Sequence, residues 1–154
     1  GAVTTWNALV FTQSKTPYTE EGRKLIHKNL ECVSEEELAY VRNNPIPNMS
    51  AQYNDNRISV LTKQWGKCEI TGEPLDVRDM HCHHIKPRSK GGTDDFRNLI
   101  LVTPVAHRLI HGTDREKLKE NFSKVWARDW RHRESILKTL NKYRELVGNE
   151  IAIL

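Results

Sequence analysis

Residues 80–112 read M-H-C-H-H-I-K-P-R-S-K-G-G-T-D-D-F-R-N-L-I-L-V-T-P-V-A-H-R-L-I-H-G, and five of the chain's seven histidines fall in this window. His83 and His84 stand in tandem, a polar loop with Gly91 and Gly92 follows, Asn98 lies in an apolar run, and His107 and His111 are four apart. Residues 80–85 resemble a short strand, in which successive side chains point to opposite faces. His83 and His84 should therefore diverge, so that one can ligate a metal while the other meets substrate. Pro87 and the S-K-G-G-T-D run predict a loop, and Leu99 to Val102 a second short strand. Thr103 suits an N-cap, Pro104 the first helical position and Gly112 a stop. The helix between them puts His107 and His111 on one face, one turn apart, where both can reach one ion. The predicted unit is strand, loop, strand, helix, with three imidazoles able to converge.

In residue types, order, Gly-Gly loop and helix spacing this stretch resembles the His-Asn-His (HNH) nuclease motif with its ββα-metal fold. The resemblance implies roles residue by residue. His83 stands at the family's first metal ligand, His84 at its general base, and Asn98 at the asparagine whose amide holds the loop that orients the base. His107 matches the ligand at the motif's final histidine, and His111 a further helix ligand found in some members.

The chemistry of these residue types agrees. Phosphodiester hydrolysis needs a deprotonated water in line with the leaving oxygen, and a neutral imidazole titrating near about 6.5 can take that proton. A divalent cation on the scissile phosphate stabilises the developing charge. The competing reading is a structural zinc site, but three protein ligands leave a position open for phosphate, whereas structural zinc usually has four. Many HNH domains also carry two Cys-x-x-Cys pairs that bind a structural zinc. The corresponding positions here are Cys68, Thr71, Thr103 and Ala106, only one of them cysteine. No structural zinc is expected, and apolar packing by Leu99, Leu101, Val105 and Ile110 must brace the strands and helix instead.

Outward from the motif, 154 residues suffice for one domain with a modest core or two small subdomains. With charged residues at 29% and apolar ones at 37%, the composition is that of a soluble globular chain, with no apolar run long enough to cross a membrane. The start, G-A-V-T-T-W, reads as an excised fragment with a cloning remnant and not as a signal peptide. Three cysteines without regular spacing argue against a disulfide framework and for a reducing compartment. Cys68 and Cys82 are candidate neighbours across the hairpin, with free buried thiols the expectation for both.

Upstream, residues 1–18 show little periodicity. A first helix should start near Thr19, with Leu25, Ile26 and Leu30 as its apolar stripe, and a second at Ser34, where Ser34 and Glu37 form a capping box. N-N-P-I-P-N-M-S, residues 43–50, is a candidate boundary between a helical lead-in over 1–50, a DNA-binding or linker segment, and a nuclease domain over 51–154. A helix from about Asp55 to Trp65 follows, stopped by Gly66, with Ile58, Leu61 and Trp65 on its core face. Arg57 on it is a candidate phosphate clamp, or else a surface arginine in a salt bridge. C-E-I-T-G-E-P-L-D-V predicts a strand and turn.

Here the resemblance narrows. Y-N-D-N-R-I-S, Q-W-G-K-C-E-I-T-G, H-C-H-H-I-K-P, G-G-T-D-D-F-R-N-L and H-R-L-I-H, with the closing L-N-K-Y-R-E-L-V-G-N, resemble the C-terminal region of bacterial group II intron-encoded proteins. There a reverse transcriptase and maturase precede a DNA-binding segment and an HNH endonuclease. This resemblance implies a bacterial, cytoplasmic setting, with intron RNA and the reverse transcriptase region of the parent protein as partners. No Tyr-Ala-Asp-Asp-type polymerase motif is present.

Beyond the motif the chain should be helical for most of its length, with Leu118, Phe122, Val125 and Trp126, then Ile136, Leu137, Leu140 and Tyr143, at helical spacing. Trp126 and Trp130 are expected in the core. From Arg115 to Arg144 there are ten Lys/Arg against four Asp/Glu, whereas residues 1–50 hold five against six. Such a basic face can track phosphates, or it is an ordinary solvated helix.

The expected architecture is α+β, a ββα-metal core with a helical N-terminal part and C-terminal helices. The expected function is a metal-dependent endonuclease on double-stranded DNA, with the cation Mg2+, or Mn2+, Zn2+ or Ni2+. Arg88, Lys90 and Arg108 join Arg57 as candidate DNA contacts. A DNA-binding or maturase-associated module with a decayed nuclease, and a structural zinc-binding interaction module, are the alternatives.

Overall fold

The computed structural model describes residues 33–154, so the helix expected near Thr19 lies outside the described residues. Among the described residues, five α-helices and one two-stranded antiparallel sheet make an α+β fold. The elements are α1 (Glu35–Asn43), α2 (Ala51–Lys63), β1 (His81–His84), β2 (Leu99–Val102), α3 (Pro104–His111), α4 (Arg115–Ser123) and α5 (Trp130–Leu146). Among the described residues no helix is long and apolar enough to cross a membrane.

α1 starts where the sequence places it. The Ser34 side chain accepts from the Glu37 backbone amide, and the Glu37 carboxylate accepts from that of Ser34, satisfying two amides that a helix start leaves open. Asn54 ties the following connector down, its Oδ1 accepting from the Ile46 amide at 2.7 Å. α2 starts earlier than expected because Ser50 caps it, accepting from the Tyr53 amide. It ends earlier too. Trp65 and Gly66 both take positive φ, 58° and 73°, so the chain has left the helix before Trp65. That removes Trp65 from the core face where its spacing put it; it is 48% exposed, while Leu61 is fully buried.

Of the strand and turn expected over 68–77, the turn forms, but no strand does among the described residues. The turn is closed by a single bridge between Lys67 and Pro74. Pro74 offers no amide for a ladder, and the Glu69 amide instead donates to the Leu101 carbonyl.

β1 and β2 pair with His81 opposite Val102, His83 opposite Ile100 and His84 opposite Leu99. All four β2 residues are buried. Its outer edge is closed by Gln64, whose side chain accepts from the Leu101 amide and donates to the Leu101 carbonyl at 2.9 and 2.8 Å. This leaves the edge no free ladder groups at Leu101 for another chain to pair with. Cys68 and Cys82 are both free thiols; Cys68 is buried and Cys82 partly so.

α3 follows directly, capped by Thr103 on the Ala106 amide with Pro104 at its start. Gly112 ends it at an ordinary φ of −69°. The requirement for glycine there is space: a Cβ would stand 2.9 Å from both the Arg108 carbonyl oxygen and Leu118 Cδ2.

The C-terminal stretch is helical for most of its length, as expected, in two helices with a break between them. α4 stops at Ser123, and Asp129 starts α5 afresh by accepting from the His132 amide at 2.8 Å. The break turns Val125 inward and Trp126 outward. Trp126 and Trp130 are 62% and 70% exposed and are not core residues. Helical spacing had put Trp126 beside Phe122, but that phase is lost once α4 ends.

Candidate metal centre and active site

β1 turns His83 inward, only 5% exposed, and leaves His84 largely buried on the other side, as strand alternation requires. α3 brings His107 and His111 to the same side as His83. The ring nitrogens of His83, His107 and His111 include one from each residue that all lie within 4.8 Å of one another. The rings meet edge to face, with centroids 5.1 Å apart for His83–His111, 5.9 Å for His83–His107 and 4.6 Å for His107–His111.

The electrostatics keep these imidazoles neutral. Burial pushes His83 down to about 4, helped by the neighbouring His111, His107 and His84. Burial likewise pushes His107 down to about 4, with His81, His111 and Arg108 adding repulsion. His111 is lowered by burial and then by Arg144. Neutral rings keep the lone pairs that a metal needs. His83 Nε2 is also the one buried side-chain nitrogen or oxygen among the described residues without a hydrogen-bond partner. Leaving such an atom unmet costs about 1–3 kcal/mol, and a cation held by the three nitrogens would satisfy it. The donor set therefore fits a divalent ion.

His84 is differently placed. Its Nε2 lies 2.8 Å from Asp94 Oδ1, and Asp94 Oδ2 accepts from the Ser50 hydroxyl at 2.6 Å. These two bonds, Ser50 first, hold the Asp94 carboxyl below the usual carboxylate range. The Tyr53 ring stacks on His84 with centroids 5.4 Å apart, and its hydroxyl donates to the Cys82 carbonyl at 3.0 Å. Asn98 pins the intervening loop. It accepts from the Lys86 amide at 2.9 Å and donates to the Lys86 and Thr93 carbonyls at 3.1 and 2.7 Å. The loop closes tightly at Gly92, where a Cβ would sit 1.7 Å from the Lys86 carbonyl oxygen.

The candidate DNA contacts divide. Arg88, Lys90 and Arg108 are exposed, with Lys90 also donating to the Val147 carbonyl. Arg57 is 4% exposed, and its guanidinium donates to the Asn44 carbonyl and to Asn54 Oδ1. It is therefore not a surface arginine.

Four features were invisible in the sequence. Asp94 is one of two adjacent loop aspartates, and nothing in the spacing marks which one meets His84. Ser50 and Tyr53 reach the site from a distant helix start. His81 stacks flat on His107, centroids 4.4 Å apart and planes within 6°. The fourth feature corrects the expectation that apolar contacts alone brace α3. Arg144, 3% exposed, donates through Nη1 to the carbonyls of Leu109, Ile110 and Gly112 at 2.6, 3.3 and 2.8 Å, and Asn149 donates to that of Ile110 at 2.7 Å. The apolar brace exists in part: Ile110 is fully buried and Val105 partly exposed, whereas Leu99 and Leu101, also fully buried, pair with His84 and Cys82 and so lie on the sheet face away from His83 and α3. The four positions that the sequence resemblance marks for zinc cysteines meet through weaker bonds. The Cys68 thiol accepts from the Thr71 amide at 3.5 Å and lies 4.0 Å from Thr103 Oγ1, and Ala106 is fully buried.

Comparison with known proteins gives one match. The family model described as HNH endonuclease matches residues 67–112. That span contains the three clustered histidines, His84, Asp94 and Asn98, and it excludes Ser50, Tyr53 and Arg144. No curated protein and no solved structure matches the chain.

Proposed function

We propose that this chain is a metal-dependent DNA endonuclease, with the HNH stretch at residues 67–112 as its catalytic core. The observation that carries the reading is His83 Nε2, buried and unpartnered where three imidazoles meet, next in sequence to a histidine tied to a carboxylate. His83, His107 and His111 hold the cation, and their three lone pairs suit zinc or nickel better than magnesium. A bound divalent ion supplies charge stabilisation at the scissile phosphate and the leaving oxygen. His84 takes the proton from the attacking water. Asn98 holds the loop behind His84 by its three backbone bonds. Arg88, Lys90 and Arg108 contact phosphates of double-stranded DNA, which adds affinity but little sequence preference. Arg57, buried, takes no part in this contact.

The biological role proposed is nicking one strand of target DNA to prime reverse transcription in group II intron mobility, in the bacterial cytoplasm. The sequence resemblance over Y-N-D-N-R-I-S and the motif supports this, with intron RNA and the reverse transcriptase region as partners. The test is a supercoiled-plasmid assay with Mg2+, Mn2+, Zn2+ or Ni2+, with His84→Ala as control. Metal-dependent nicked circles from wild type alone support the proposal. Direct conversion to linear DNA would sink the single-strand role. DNA binding without cleavage in every metal would instead point to a decayed nuclease.

A further inference from the structure

The side chains that aim His84 come partly from outside the HNH stretch. Asp94 Oδ1 lies 2.8 Å from His84 Nε2. An ionised carboxylate only accepts, so Nε2 must carry the hydrogen and the lone pair must sit on Nδ1. Asp94 is itself held twice from α2: the Ser50 hydroxyl donates to Oδ2 at 2.6 Å, and Asn56 Nδ2 donates to the Asp94 backbone carbonyl at 2.8 Å. Tyr53 lies against the His84 ring and is anchored by its hydroxyl on the Cys82 carbonyl, one turn along the same helix. Positions 50, 53 and 56 are three apart, so they share one side of α2's first two turns. All three converge on the His84–Asp94 pair, and all lie outside residues 67–112.

We propose that Asp94 is the positioning residue of His84, fixing its Nε2–H tautomer and ring orientation so that Nδ1 faces the water. The first two turns of α2, through Ser50, Tyr53 and Asn56, belong to the catalytic apparatus as the mount for that pair. This rests on the reading of His84 as proton acceptor, and it adds which nitrogen accepts and what holds it. A surface ion pair would contribute little. This pair is different because both partners are largely buried, at 15% and 10% exposure, and the second carboxylate oxygen is also engaged.

The experiment uses the full chain at one fixed pH. Nitrogen-15 NMR of the histidine rings reports the His84 tautomer without needing metal or activity. Wild type should show one Nε2–H form, and Asp94→Ala a mixture. With nicking as readout, Asp94→Ala should lower kcat about 10²–10³-fold, with KM and metal affinity unchanged. Asp94→Asn keeps an acceptor oxygen, since Ser50 Oγ can receive its amide hydrogen, and should recover most of the loss. It also serves if the alanine variant does not fold. Ser50→Ala should lower kcat about tenfold, short of Asp94→Ala. Three results would overturn the proposal: an unchanged Nε2–H form in Asp94→Ala, a kcat within threefold of wild type, or a fall in metal affinity as large as that of His83→Ala. If wild type nicks nothing in any metal, His84 loses its role as base, and the tautomer alone decides whether Asp94 sets the ring.

Discussion

Removing the Arg144 guanidinium should loosen the candidate metal site from a distance. Arg144→Met keeps the apolar stem and deletes the donors. Arg144 bonds the Leu109 and Gly112 carbonyls at 2.6 and 2.8 Å through Nη1 and the Glu150 carbonyl at 2.9 Å through Nε. Ile110 keeps Asn149 as donor, so its carbonyl is not orphaned. Two strong charge-assisted bonds to the end of α3 are therefore lost, each contributing about 1.5–3 kcal/mol. A favourable charge at the C-terminal end of the helix goes too, about 0.3–1 kcal/mol or more when buried. Relief from desolvating the guanidinium offsets part of this. The balance is about 3 kcal/mol, a fall in Tm of about 10 °C for a domain this size.

The functional effect follows from where those carbonyls sit. Leu109, Ile110 and Gly112 flank His111, the last residue of α3. A frayed final turn would remove His111 as a candidate ligand while leaving His83 and His107, and supporting contacts of this kind are worth about 10–100-fold in metal affinity. Differential scanning calorimetry and metal titration, both on Arg144→Met and Arg144→Lys, read the two effects. Lysine offers a point charge without the fork and should recover less than half the loss. A melting point within 2 °C of wild type, or unchanged metal affinity alongside a large drop in Tm, would refute the reasoning.

Three further outcomes are expected. His83→Ala should abolish metal binding, whereas His84→Ala should leave metal affinity within about threefold yet cut nicking about 10²–10⁴-fold; equal losses of affinity in the two, by isothermal titration, would break the division of labour along β1. A strong chelator should stop nicking while the fold persists, with only the small loss of Tm due to ligand linkage; cooperative unfolding in circular dichroism would make the metal structural. Trp126→Ala and Trp130→Ala should each change stability by under about 0.5 kcal/mol in urea melts, against about 2–5 kcal/mol for Leu109→Ala in the core; a core-like cost at either tryptophan would contradict its exposure.

The site was legible in the sequence where the information is local. Alternation along a strand separates His83 from His84, and a four-residue helical step joins His107 to His111, so neither needs knowledge of the rest of the chain. Caps were legible for the same reason: Ser34, Thr103 and Pro104 act within three residues of themselves. Illegible were choices settled by distant partners. Trp126 had the right spacing for a core face, but nothing local announces that α4 ends three residues before it. Asp94 and Asp95 look alike in sequence. Only the fold sends one to Ser50 and His84 and leaves the other to cap the turn at Arg97.

The bracing of α3 shows the same limit with more at stake. With three of the four zinc-cysteine positions held by Thr71, Thr103 and Ala106, apolar packing looked like the remaining way to fix the helix. Packing does fix the side of α3 that faces the sheet, since Ala106 and Ile110 are fully buried and Ile100 and Val102, on the same sheet face as His83, are buried too. It does little for a helix end, whose last carbonyls need donors. α3 is only eight residues long and carries a metal-ligand candidate at its final position, so its C-terminal end matters most to the site and its own sequence secures that end least. Gly112 gives closeness without a left-handed cap. The donors come instead from Arg144 and Asn149, more than thirty residues on. Where the sequence resemblance would put a second ion next to the strands, a guanidinium secures the opposite end of the helix. For that reason the C-terminal helix α5 supports the end of α3 that carries His111 of the candidate metal site.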